Sequence, residues 1–354
     1  MLTPLGRRDL LVQGLGVALA ATGLSARAAP TWPRYRVTDL GDLGGGTIVV
    51  SGLNDHGVAV GMATRHDGDN KGVAFISEAG KMRGLRMEHH SVSSWGAAIN
   101  AAGVVAGHDT ANADASYLQS AWTWQGAERQ YFSKQNSRDS TFATDINDDG
   151  VVTGFLYPGS GVLWRDGQMV DLSAETGLTI VRANAINAAG GVVGISQQKK
   201  QQFVSFIYRN GAAAKLDVLG STEHEALGIN ASGQVCGHYQ PAGEDRVGRG
   251  YLWHNGVAID LGQLPGPKQS LQARALNDAG VVVGTSSVVE SGSPRTPHAF
   301  VWQDGTMVDL NRLIDGDHDG WVLNRAVDIN NLGQIVGQGT HQGVSRAFLA
   351  TPVA

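Results

Sequence analysis

Six side chains with chemical reach fall at fixed distances from a recurring landmark. Arg182, Glu225 and Arg325 each precede an asparagine by five residues, at Asn187, Asn230 and Asn330. His108 and His238 each follow the glycine that ends a short apolar run, and His224 adjoins Glu225. Equal offsets from one landmark place these groups at equivalent points of successive repeats, so they are candidates for one site. Guanidinium groups beside one carboxylate and imidazoles would make a polar pocket for a small anion or a sugar.

A second cluster, Asp315, Asp317 and Asp319 in the run DGDHDG, has the D-x-D-x-D-G opening of a calcium loop. The loop then departs from the pattern. Its ninth position is Leu323, and its twelfth is Ala326 instead of a bidentate glutamate. Calcium is therefore the weak alternative, and no cofactor is the expectation. A glycoside hydrolase or lyase would need two carboxylates flanking one bond, and the inner positions offer only Glu225. No Gly-x-Ser-x-Gly elbow, zinc-type histidine cluster or phosphate loop occurs. The single cysteine, Cys236, aligns with Val283 of another repeat and reads as a buried thiol.

The elements that position these groups come from a repeat. Its skeleton is Ile/Leu-Asn-x-x-Gly, an apolar run ending in Gly, a variable stretch, a small-large-x-aromatic strand, and a two-residue turn. The asparagine recurs at 54, 100, 147, 187, 230, 277 and 330. A period in the forties built from short strands predicts a propeller. Within one repeat, strand A ends at the asparagine and Asn-x-x-Gly makes a tight turn. Strand B is β-branched (Val281-Val282-Val283), and strand C is Ala299-Phe300-Val301-Trp302. An Asp-Gly or Asn-Gly hairpin then leads to strand D, as at Asp304-Gly305 and Asn255-Gly256.

Three columns support the alignment. Ala74, Ala121, Gly161, Ser205, Gly250, Ala299 and Ala347 are all small, as close sheet approach requires. Phe75, Trp122, Val162, Phe206, Tyr251, Phe300 and Phe348 are large, with Val162 underfilled. Trp124, Trp164, Tyr208, Trp253 and Trp302 form a third, core-filling column, interrupted by Ser77 and Ala350. Strand D is missing after the last repeat, but Arg36-Val37-Thr38-Asp39-Leu40 near the N-terminus matches it. The predicted fold is all-β: a seven-bladed β-propeller of four-stranded blades, the last blade closed by the N-terminal strand.

Antiparallel order puts the short A–B and C–D turns on one rim and the longer B–C loops and D–A connectors on the other. Loops 62–72, 108–119, 238–247 and 285–297 vary most, so this second rim is expected to carry any binding site. If strand A is innermost, the column five before each asparagine lies at the channel mouth: Val49, Trp95, Phe142, Arg182, Glu225, Gln272 and Arg325.

The combination of Tyr35-Arg36-Val37-Thr38-Asp39-Leu40-Gly41, Leu43-Gly44-Gly45, the seven Ile/Leu-Asn-x-x-Gly segments, His298-Ala299-Phe300-Val301-Trp302 and Gly320-Trp321 resembles the HAF family of extracellular repeat proteins. The resemblance spans nearly all of the chain after residue 28. It implies a secreted or surface β-propeller-like protein of unassigned activity. The literal His-Ala-Phe occurs once; other repeats carry Val73, Ser120, Val204, Arg249 or Arg346 at the histidine position, which argues against a histidine-based function.

The first residues read as an export signal. Arg7-Arg8 precede an apolar run from Leu10 to Leu24, and Ala26-Arg27-Ala28 fits a cleavage site, so residues 1–28 are expected to be removed. The paired arginines resemble a twin-arginine signal. The domain is then 29–354, with no membrane span in the mature chain. The whole chain carries −5; residues 1–28 hold three arginines and one aspartate, which leaves −7 on the remainder. That charge disfavours nucleic acid. The expectation is an exported periplasmic or extracellular monomer, a non-catalytic propeller binding a glycan, small anion or protein. The alternatives are a propeller hydrolase or lyase and a structural matrix protein.

Overall fold

Each Asn-x-x-Gly segment closes a tight turn. In all seven copies the glycine N–H donates to the asparagine carbonyl at 3.0 Å. The glycine sits near φ +75°, where an L side chain would be strained; Gly233, for example, is at +77°. The computed structural model describes residues 31–353, apart from 67–70, 88–90, 114–115, 133–138, 200, 244–246 and 290–295. The expected export signal lies outside the described residues, as do parts of all four long loops.

The strands form seven four-stranded antiparallel sheets. Their innermost strands are Gly44–Leu53, Ser91–Ile99, Ser140–Ile146, Ile180–Ile186, His224–Ile229, Gln269–Leu276 and Trp321–Ile329. Neighbouring inner strands contact one another around the ring, and the seventh meets the first. The molecule is a seven-bladed β-propeller, with blades numbered here in chain order. The last blade takes its outer strand from the N-terminus: Arg34–Asp39 pairs with Val344–Val353, from Arg34 opposite Val353 to Asp39 opposite Phe348. Buried Tyr35 and Leu40 secure that strand, and Leu40 N–H donates to Ala347 O at 3.0 Å.

The landmark asparagines do more than turn the chain. Each Nδ2 donates to the backbone carbonyl of the next blade's asparagine: Asn54 to Asn100, Asn100 to Asn147, and so on to Asn330, which returns to Asn54. The seven bonds span 2.9–3.3 Å and make a closed belt around the axis. Each Oδ1 accepts the N–H four residues on, as Asn100 Oδ1 does from Val104 N–H at 2.9 Å. Only a short side chain carrying both a donor and an acceptor fits both tasks, which explains asparagine at this point.

The aligned columns form the seams between blades. Every member of the small column is buried, and all seven large-column side chains are fully buried. A Cβ on Gly161 would lie 2.5 Å from Ile180 Cγ2 and 3.2 Å from Ala183 N, so this column sets how closely the next blade's inner strand approaches. The underfilled copy at Val162 is compensated: the Trp164 ring swings over Gly154, and Phe132 stacks on it at 4.8 Å. Cys236 is buried in the same kind of seam, and that burial raises its thiol pKa, as a structural role requires.

Candidate functional site

The site begins with an irregularity of strand A that alternation alone would not give. In every blade the A–B register shifts by one residue three positions before the asparagine. The bulged residues are Ser51, Ala97, Thr144, Asn184, Leu227, Arg274 and Val327. Bulges re-aim a side chain, and these seven are all partly exposed and line the central channel. The bulge also drives the strand A carbonyl against the strand B glycine. A Cβ on Gly237 would fall 2.0 Å from Glu225 O, and the equivalent glycines of the other six blades are blocked at 1.9–2.2 Å. The invariant glycine of strand B therefore exists to admit the backbone that carries the mouth residues.

Seven cross-strand pairs ring the mouth: Val49–Met62, Trp95–His108, Phe142–Phe155, Arg182–Ile195, Glu225–His238, Gln272–Thr285 and Arg325–Gln338. This is the rim of the long loops. Blades one to three make an apolar arc. His108 lies parallel to Trp95 at 6.5 Å and meets Phe142 edge-on at 5.0 Å, while Phe142 stacks on Phe155 at 4.5 Å. Burial lowers the His108 pKa to about 4, so the ring is neutral at physiological pH.

Blades four to seven make a polar arc. Arg182 donates to Glu225 Oε1 and sits over Phe155, with Cζ 5.9 Å from the ring centre, at the junction of the two arcs. Asn184 Nδ2 also donates to Glu225 Oε1 at 3.0 Å, and His238 Nε2 lies 3.9 Å from Oε2. Burial lowers the His238 pKa, against the opposing pull of Glu225. Arg274 Nη2 donates to Gln272 at 2.6 Å, while its buried Nε has no partner. Burial, then the nearby charge of Arg325, lowers the Arg274 pKa. Arg325 is exposed and, among the described residues, has no hydrogen-bond or ion-pair partner. The arc thus holds three guanidinium groups against one carboxylate.

Five of the six expected site residues gather here. His224 does not. It alternates to the opposite face of its strand and is 5% exposed, with Nδ1 accepting Ser205 N–H at 3.0 Å. Its pKa is lowered to about 4, chiefly by burial, and its place is the seam with blade four. Arg182 pairs with Glu225, whereas Arg325 has no ion-pair partner among the described residues. Asn184 and Arg274 are the residues sequence reasoning missed. Asp315, Asp317 and Asp319 are exposed in the connector before Trp321; Asp319 lies 3.6 Å from His341. Among the described residues no three His, Cys, Asp or Glu side chains converge as metal ligands.

The opposite mouth is acidic. A cavity of about 340 Å³ inside the asparagine belt is lined by Asp55, Asp145, Asp148, Asp278 and Asp328, with Arg274 at its inner end. Asp145 and Asp328 stand where other blades carry Gly or Ala. Each accepts two backbone N–H groups, one from the next blade: Ile186 to Asp145 at 2.9 Å and Leu53 to Asp328 at 2.8 Å. Burial outweighs those bonds and raises their pKa values to about 6 and about 7. The channel is therefore bipolar, basic at the long-loop mouth and acidic at the belt.

No family model matches this chain, and no curated protein does. Solved structures match by fold. A puromycin-hydrolysing peptidase of Mycobacterium tuberculosis superposes with a TM-score of 0.56 at 11% identity, over 92% of this chain and 54% of that one. This chain thus spans about half that peptidase's length. YCF48 bound to D1 peptide gives 0.54 at 10% identity, over 92% and 97%. The tricorn protease gives 0.51 at 9%, over 91% and 36%. At such identities the likeness speaks for the propeller fold alone.

Proposed function

We propose that this protein is an exported, non-catalytic binding propeller whose long-loop mouth takes a small organic anion or an acidic sugar. One observation carries the reading: three guanidinium groups face a single carboxylate beside an aromatic arc. Arg325 is free among the described residues, and Arg274 is crowded by it. An anion would relieve that repulsion and accept from Arg325, while Trp95 and Phe142 offer faces to a sugar ring or apolar body. The hydrolase alternative is less well served. Glu225 is the mouth's one carboxylate among these seven pairs, and Arg182 and Asn184 already hold it. Membership of the HAF repeats, a monomeric state and twin-arginine export belong to the same proposal. The asparagine belt gives the repeat's asparagine and glycine a physical reason to recur in such proteins.

The test is a thermal-shift series on protein starting at Ala29, against glucuronate, galacturonate, citrate and phosphate, with glucose as neutral control. A ligand that binds only the folded state adds about 2.7 kcal/mol at a hundred times its dissociation constant. Acidic ligands should raise the melting temperature, and Arg325→Gln should remove most of that rise. No shift with any acid would overturn the ligand class and send the search to a protein partner by pull-down. Export is tested by Arg7→Lys with Arg8→Lys, which should retain the full-length chain in the cytoplasm.

A further inference from the structure

We propose a second, separate ligand site: a cavity between blade six and the connector entering it from blade five, which accepts a small amphipathic carboxylic acid. The cavity measures about 320 Å³ and is lined by Leu264, Pro265, Pro267, Val288 and Met307 on its apolar side and by His298, Asp309 and Arg312 among its polar groups. That size lies at the low end of small-molecule pockets, and the mixture of apolar wall with a few polar groups is typical of them.

The polar groups differ in what they have left to offer. Asp309 is fully engaged, bonded by His298 Nδ1 at 2.6 Å, Asn311 N–H at 2.9 Å and Asn311 Nδ2 at 2.8 Å. That bond fixes the His298 ring and leaves Nε2 without a partner among the described residues. Arg312 is exposed, and among the described residues its guanidinium is unpaired; only its backbone carbonyl is used, by Arg34 at 2.8 Å. The unpaired charge of the cavity is therefore positive, on a planar fork suited to a carboxylate, with an oriented imidazole beside it. Leu264 and Met307 would cover the ligand's apolar body.

A nucleophilic site is the competing use of these residues, because Ser286 stands directly opposite His298 across the strands. Its hydroxyl, however, donates to Gln269 Oε1 and is 3% exposed, so His298 does not act as its base. The cavity holds a ligand; it does not cleave one.

Benzoate and hexanoate, with benzyl alcohol and hexanol as neutral controls, are the probes, read by titration calorimetry and saturation-transfer NMR on protein from Ala29. The acids should bind and the alcohols should not. Arg312→Gln should weaken acid binding at least tenfold without altering the melt, since Arg312 is exposed. His298→Gln should weaken it less, because a glutamine amide still reaches Asp309. Arg325→Gln, at the channel mouth, should leave it unchanged, which separates this site from the first. Acid binding that is indifferent to both Arg312→Gln and His298→Gln would overturn the proposal, as would no binding by either acid.

Discussion

His298 on strand C and Asp309 on strand D of blade six are joined at 2.6 Å, and the same pairing recurs wherever strand D carries aspartate. The partners are Ser160 with Asp171, Arg249 with Asp260, and Arg346 with Asp39. In each, the second carboxylate oxygen accepts the N–H two residues on: Gly41, Ser173, Gly262 and Asn311. Blades with Gly84, Tyr131 or Lys215 at that point carry Val73, Ser120 or Val204 at the His298 position. The histidine of the His-Ala-Phe run is thus one of several donors that clamp strand C to the turn leaving strand D.

Removing a clamp should cost what a cap and a charge-assisted bond cost together. Asp260 holds Tyr239 at 2.7 Å, Arg249 and the Gly262 turn. Asp260→Ala should lower stability by about 2 kcal/mol, and Asp260→Asn by about half of that, since one oxygen still serves the turn. Urea denaturation measures both; equal losses would mean that the turn bond contributes nothing.

The asparagine belt gives a sharper test. Asn187→Ala deletes the 2.9 Å bond to Asn230 O and leaves the Gly191 N–H, 2.8 Å from Oδ1, without its acceptor. A loss of about 2–3 kcal/mol is expected. Asn187→Asp keeps the acceptor but sets a carboxylate against the Asn230 carbonyl. It should be at least as destabilising at pH 7 and recover as the pH falls below about 5, when protonation restores a donor. If the aspartate variant is no worse at pH 7 than at pH 4.5, the belt bond is not what holds the blades together.

How far the sequence reached follows from the same contacts. The turns, the columns and the closing strand were legible because each depends on residue type at a fixed spacing: Gly at positive φ, small residues at a seam, Arg36 to Leu40 matching other outer strands. The belt was hidden because an asparagine that makes a turn and one that also reaches the next blade look alike in one chain. Arg274 and Asn184 share parity with the mouth residues Gln272 and Arg182 but also with the buried Leu276 and Ile186; the bulge decides which side they take, and alternation alone could not. The unvarying glycine of strand B was the available signal, since only a backbone pressed against it forbids a Cβ. His224 was misplaced for the complementary reason. It neighbours Glu225 in sequence, and neighbours on a strand face opposite sides.

The bulge and the mouth are one device, so Gly237→Ala should disturb both. Its methyl group would need the place of Glu225 O, 2.0 Å away, and would also press on the Tyr251 ring at 2.9 Å. A stability loss of about 3 kcal/mol or more is expected, together with weaker ligand binding at the mouth. Gly233→Ala is the control: it strains a positive φ on the other rim and should destabilise without changing ligand affinity. Unchanged affinity in folded Gly237→Ala protein would uncouple the bulge from the site.

Ring closure rests on Arg34–Asp39, so removing residues 31–41 should abolish cooperative unfolding of the whole propeller. It strips the outer strand from blade seven and exposes a seam containing Phe348 and Ala350. A milder variant, Tyr35→Ala, removes a side chain that is 2% exposed and should cost about 3–4 kcal/mol while keeping one transition. A truncated protein that melts as sharply as the parent would mean that closure is not needed for stability.

Two opposing proton linkages meet in the acid range. His108 and His224 have folded pKa values lowered to about 4 from 6.5, so they bind fewer protons folded than unfolded between those limits. Their contribution is fully present above pH 6.5 and is lost as pH falls toward 4. Asp145 and Asp328 are raised to about 6 and about 7 from 3.8, so they bind more protons folded than unfolded. Their contribution is greatest near pH 4 and declines as pH rises toward 7. The two trends oppose each other, and the parent should show only a shallow dependence between pH 4.5 and 6.5. Asp328→Asn removes one declining member. It should lower absolute stability, since one of the Leu53 and Ile329 N–H bonds is lost, yet make stability climb more steeply with pH than in the parent. His224→Gln should do the reverse and flatten or invert the climb. The slopes should differ by about 1–3 kcal/mol across the window, read from urea midpoints at pH 4.5, 5.5 and 6.5. Parallel profiles for parent and both variants would show that these buried groups keep their ordinary protonation, and that the acidic mouth is wetter than its packing implies.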